Sequence, residues 1–142
     1  MKRRISASVT ILLTYSATAI CLIAAEPKTV PAPKNASDGL TEAKTLIEKR
    51  DFDGAIRAAS EAIRLNRNSA HSFYHRAVAY DAVGEYDKAN ADFDAAIKLS
   101  PECTYYYEAR GASGIRHGDY GRGIADLRKA IRFEEHIRQG DC

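Results

Sequence analysis

The chain has 142 residues, 45% hydrophobic and 28% charged, with a formal net charge of +2, which leaves room for one domain or a short array of small repeats. Three of its 21 Lys and Arg are Lys2, Arg3 and Arg4; with residues 1–25 set aside, 18 remain against 19 Asp and Glu. A body so evenly balanced has no field to gather phosphates, which argues against nucleic acid as a partner.

In chain order, "MKRR" makes a positive start, and Ile5 to Ala25 carry no charge until Glu26 ends the run. With "LIAA" as a small-residue cleavage zone, residues 1–25 read as an export signal cut after Ala24 or Ala25. The alternative is an uncleaved anchor, because 21 uncharged residues are enough to cross a bilayer. Six of them are Ser or Thr, which weakens a membrane span. Cys21 does not suggest lipid attachment, since "TAI" before it puts a bulky Ile where a small residue is wanted. Residues 26–36, "EPKTVPAPKNA", hold three of the four prolines and form an extended spacer. The expected location is the bacterial periplasm. With the anchor kept, it is the inner membrane facing the periplasm, and residues 5–25 make the only membrane contact.

From there the chain repeats itself with a period of 34, in rows at residues 36–69, 70–103 and 104–137, followed by a tail at 138–142. Small residues recur at Ala55, Ala89 and Gly123. Four later come Ala59, Phe93 and Leu127, then Ala62, Ala96 and Ala130, then Ile63, Ile97 and Ile131. Steps of four, three and one mark the buried stripe of an amphipathic helix. Phe52, Tyr86 and Tyr120 precede these helices at one offset. The first half of each row is helical too: "SFYHRAVAYDAVG" spaces Phe73, Ala77 and Tyr80 by four and three and ends at Gly84, a C-cap residue. Each row is thus a helix hairpin that must stack on its neighbour to bury its apolar face.

These rows resemble tetratricopeptide repeats. Row two carries Phe73, Ala77, Tyr80, Ala89, Phe93, Ala96 and Pro101 of the family pattern. Row three carries Tyr107, Gly111, Tyr120, Gly123, Leu127 and Ala130, and a degenerate row one has Gly39, Ala43, Leu46, Phe52, Ala55 and Ala62. The resemblance implies an all-α, right-handed superhelical solenoid of three hairpins and six helices, here without a clear C-terminal capping helix. Row three departs most. Gly114 replaces a large side chain, and five of the nine glycines lie between Gly111 and Gly123, each expected to cost about 1 kcal/mol inside a helix. Its uncapped end is a candidate for self-association, and a last helix extended through "RFEEHIRQ" would supply part of the cap.

Tetratricopeptide arrays bind peptides or proteins on the surface lined by each first helix. Carried over by position, that surface shows Leu40, Lys44 and Ile47 in row one. Row two adds His71, Tyr74, Val78 and Asp81, and row three adds Tyr105, Glu108, Ala112 and Ile115. Tyr74 and Tyr105 are the expected anchors, as exposed aromatics giving large contact area at low entropic cost. One family mode grips a C-terminal carboxylate through Lys, Asn and Arg. The matching positions here are Leu40, Lys44, His75, Tyr105 and Ala109, and only Lys44 keeps a suitable charge. Arg76 and Asp92 lie 16 apart, as do Arg110 and Asp126, which suggests a repeated pair that sets register.

His71 and His75 share a helical face and offer a metal two ligands, with no evident third. Cys103 and Cys142 fall at the same end of the last hairpin. In an oxidising compartment they are candidates for a bridge within the chain, for a bridge between chains through Cys142, or for free thiols. The sequence holds no Gly-rich phosphate loop and no CxxC pair, so neither catalysis nor a cofactor is expected. The expectation is an exported interaction module for a peptide or protein partner. One alternative is a membrane-anchored docking subunit of an envelope complex. Another, of a different class, is a metal-binding accessory using His71 and His75.

Overall fold

The structure, a computed structural model, describes residues 34–138, and the regular structure in that span is all helical. Residues 1–25, expected to be an export signal or an anchor, most of the expected spacer and Cys142 lie outside the described residues. Six helices follow one another: α1 (Ala36–Glu48), α2 (Phe52–Leu65), α3 (Ala70–Ala82), α4 (Tyr86–Leu99), α5 (Thr104–Arg116) and α6 (Tyr120–Arg138). They pair as hairpin one (α1–α2), hairpin two (α3–α4) and hairpin three (α5–α6). No helix among the described residues is long and apolar enough to cross a membrane.

Four of the six described helices start on a capping side chain, while Glu85 and Cys103, before α4 and α5, make no such bond. Asn35 and Ser69 stand before α1 and α3 and accept hydrogen bonds from the backbone N–H of Asp38 (2.8 Å) and Ser72 (3.3 Å). Asp51 and Asp119 do the same for Gly54 (2.9 Å) and Arg122 (3.2 Å). Each bond satisfies a donor the helix itself leaves open. Between the helices of each hairpin one residue takes a positive φ: Arg50 (62°), Gly84 (84°) and Gly118 (88°). The backbone asks for a left-handed residue at all three turns, and glycine supplies it without strain at two.

Burial is uneven along the stack. The main core joins Tyr74, Ala77, Phe93, Ala96 and Tyr106, with Phe73, Val78, Tyr80 and Ile97 packed against it. Full burial of side chains as large as Phe93 and Tyr106 stabilises the fold by about 1.5–3 kcal/mol each. Hairpin one contributes a smaller cluster of Ala43, Ala58 and Ala59 with Leu46.

The 16-residue spacing is an ion-pair ladder. Arg76 grips Asp92 through Nε and Nη2 (2.7 and 2.8 Å) and reaches back with Nη1 to the Ser60 hydroxyl of hairpin one (3.2 Å). Arg110 holds Asp126 in the same two-pronged way (2.7 Å for each contact) and reaches back to Asp94 of hairpin two. Every rung therefore ties a hairpin both to itself and to its predecessor. Bonding to the aspartates holds both guanidinium pKa values above their usual level.

The glycines of hairpin three correct the expectation that each is a helix-weakening cost. Gly118 lies in the turn, where its φ is positive. A Cβ on Gly123 would stand 2.8 Å from the carbonyl oxygen of Gly111, and one on Gly111 would stand 3.0 Å from that of Gly123. The two helices cross at this pair so closely that no side chain fits. Of the four helical glycines, only Gly121 has open space around its missing Cβ. Helix α6 runs for 19 residues, against 14 for α2 and α4. Its outer side shows Tyr120, Ile124 and Ile131, each about half exposed.

Candidate functional site

A shallow groove of about 330 Å³ opens between α3 and α5, floored by Phe93 of α4. Its α3 wall is Tyr74, Val78 and Asp81; its α5 wall is Tyr105, Glu108, Ala109, Ala112 and Arg116. Tyr74, Val78 and Asp81 are spaced by four and three, as are Tyr105, Ala109, Ala112 and Arg116, so each set occupies one helical face. On α5 the Gly111 contact with Gly123 uses a different side of the helix from the groove wall, whereas on α3 Ala77 is buried in the same core as Tyr74.

The two tyrosines play different parts. Tyr105 is 56% exposed, its ring 4.9 Å from that of Tyr74. Tyr74, expected as an exposed anchor, is only 7% exposed; it is enclosed by Phe93, Tyr105 and Tyr106 and belongs to the core. Burial first, and the neighbouring Tyr105 phenol second, push the Tyr74 hydroxyl well above the usual tyrosine range. Burial likewise pushes Tyr106 up to about 12.

Asp81 is also less available than its position suggests. Its side chain is 9% exposed and accepts hydrogen bonds from the Ser113 hydroxyl, Arg116 and His117 Nε2 (2.9 Å). His117 in turn stacks on Tyr86 at 4.8 Å, and the Tyr86 hydroxyl donates to Asp119 at 3.4 Å. The carboxylate is thus a tie between the ends of α3 and α5. Arg116, the one charged wall residue that the repeat pattern missed, is hidden because Asp81 and Arg116 lie 35 apart, one residue off the period.

The other expected residues are scattered. Leu40, Lys44 and Ile47 sit on α1, outside the groove lining. Ile115 corrects the positional carry-over: its Cγ1 lies over Gly123, toward α6. His71 is exposed, with its ring edge-on to Tyr106 at 5.9 Å. His75 is half-buried against Tyr74. Burial, and then the positive neighbours His71 and Lys44, hold its imidazole below the usual histidine range. Among the described residues no group of three or more His, Cys, Asp and Glu side chains converges as a metal would require. Cys103 is partly buried against the main core, and its candidate partner Cys142 lies outside the described residues.

Two family models, each described as a tetratricopeptide repeat, match residues 40–82 and 70–103. Serine/threonine-protein phosphatase 5 of Homo sapiens is 29% identical over 111 residues, covering 78% of this chain and 22% of its own length. The chain spans between 20% and 26% of the curated relatives it resembles first. Among solved structures, MamA superposes with a TM-score of 0.70 at 24% identity, over 75% of this chain and 63% of MamA. The second tetratricopeptide repeat domain of Spaghetti, solved with an HSP90 peptide, superposes with a TM-score of 0.66 at 19% identity, over 71% of this chain and 94% of its own. At these identities the structural likeness establishes the fold.

Proposed function

We propose that this chain, a tetratricopeptide-repeat protein, is an exported interaction module that docks a peptide or protein segment in the groove between α3 and α5, without catalysis. The observation that carries the reading is the groove itself: about 330 Å³, with an exposed aromatic on one wall and a buried floor in Phe93. Such a surface offers contact area at little ordering cost, which is how few residues come to dominate docking. Among the relatives, one solved structure holds a peptide in a domain of the same fold, which supports peptide docking as the role. Export rests on the charged start and uncharged run of residues 1–25 and places the module in the bacterial periplasm. If residues 5–25 stay in the membrane, the same groove serves a docking subunit held at the inner membrane; the intact mass of the purified chain separates the two.

The groove reading is tested with a photo-crosslinking amino acid placed at Ala112 on the groove wall and, separately, at Arg57 on the exposed side of α2. Adducts in living cells from position 112 and none from position 57 are expected. Adducts from position 57 alone would move the interface off the groove and overturn the reading.

A further inference from the structure

From the charges of the groove we infer that it selects a basic side chain, lysine or arginine, on the docked peptide; this rests on the groove being the docking surface. The groove walls carry two carboxylates, Asp81 and Glu108, and one guanidinium, Arg116. Asp81 and Arg116 neutralise each other, with Ser113 and His117 completing the Asp81 shell. Glu108 is left over: among residues 34–135 no Lys, Arg or His side chain comes within ion-pair distance of it. It is half-buried, so part of its hydration is lost with nothing in return, and a cation arriving there restores the balance.

The surroundings fit a cation carried on an apolar stem. Tyr105 lies one turn before Glu108 on α5, which puts an exposed ring and a carboxylate side by side. The stem of a lysine or arginine would lie along Tyr105, Ala109 and Val78, with its head between the ring and the carboxylate. An acidic peptide would instead face Glu108 with like charge, and the charge of Arg116 is already shared with the nearly buried Asp81. Glu108 is also a departure from the repeat. The matching positions one and two periods earlier are Tyr74 and Leu40, so the packing of the stack does not call for a carboxylate there.

The test is retention of a randomised octapeptide pool on the immobilised full chain, followed by sequencing of the retained fraction, for the wild type and for Glu108→Gln, Glu108→Arg and Ala112→Arg. Circular dichroism checks that each variant keeps its helix content. Lysine and arginine are expected to be enriched about tenfold by the wild type, as one charged hydrogen bond would give. The enrichment should vanish in the near-isosteric Glu108→Gln and turn toward Asp and Glu in Glu108→Arg. A retained pool without basic bias, or a basic bias that survives Glu108→Gln, overturns the inference. If Ala112→Arg, which plugs the groove, still abolishes that retention, the docking surface stands and only its selectivity falls. Retention that ignores Ala112→Arg removes the docking surface and the inference together.

Discussion

In hairpin one the small residues matched by the 34-residue period are Ala43 and Ala55; in hairpin three they are Gly111 and Gly123. Both pairs are buried, but the glycines let the backbones of α5 and α6 approach to the limit of contact. The bonding differs as well. Hairpin three has the Arg110–Asp126 rung and its reach back to Asp94, whereas Glu42 and Ala58 occupy the matching positions in hairpin one and make no such pair. Hairpin three also buries two whole tyrosines, Tyr106 and Tyr107, the latter donating its hydroxyl to the Pro101 carbonyl at 2.9 Å. Hairpin one has a cluster of alanines. The period thus imposes a crossing and a turn on every row and leaves open what holds the row together.

The ladder gives the largest way to test that distinction. Asp92→Ala strands the Arg76 guanidinium, whose other partner is the neutral Ser60 hydroxyl, whereas Asp126→Ala leaves Arg110 still paired with Asp94. Breaking a buried pair from one side costs about 3–5 kcal/mol. Because both arginines keep some solvent contact, about 3 kcal/mol is expected for Asp92→Ala and about 2 kcal/mol for Asp126→Ala. Urea midpoints of the two variants check the order. An Asp126→Ala loss equal to that of Asp92→Ala would mean that the Asp94 contact contributes nothing.

The same contrast explains what was legible in the sequence. Fold and helix pairing were readable because the period brings every apolar stripe and turn back three times, so errors at one row are corrected by the next. The Arg–Asp spacing was readable for the same reason. The site was read less well because it depends on what is not repeated. Tyr74 has an aromatic neighbour, Tyr105, only in the following row, and that neighbour covers it. Asp81 meets Arg116 one residue off the period, and the Ile115 side chain turns to fill the space above Gly123. A period specifies position on a helix, whereas exposure is decided by the neighbour's side chain.

The glycine crossing gives a second, smaller effect, and it changes sign within two residues. Gly123→Ala places a Cβ 2.8 Å from a backbone oxygen that cannot move without separating α5 from α6. Overpacking of this kind costs about 1–3 kcal/mol, against which the helix-propensity gain of about 1 kcal/mol is set. A net loss of up to about 2 kcal/mol is expected. Gly121→Ala meets nothing within 4 Å and should gain up to about 1 kcal/mol. Thermal midpoints of the pair decide it: a gain for both would mean that the helices are not held at the glycine contact.

The smallest effect belongs to the turn of hairpin one. Arg50 takes a φ of 62° where Gly84 and Gly118 serve the other two turns. A side chain in the left-handed region costs roughly 1–2 kcal/mol. Arg50→Gly removes that strain and also loosens the unfolded chain, which offsets part of the gain. It gives up the weak approach of the guanidinium to the Phe52 ring, 6.0 Å from its centroid, worth about 0.5 kcal/mol at an exposed site. The balance is a gain of about 0.5 kcal/mol, and it should appear in hydrogen exchange of α1 and α2 while α5 and α6 are unchanged. The Gly84→Arg exchange in hairpin two should move the other way by a similar or larger amount, because that turn gains the strain of a side chain at positive φ. Opposite signs at matched positions would show that the backbone of the turn, and not its side chain, is what the repeat requires.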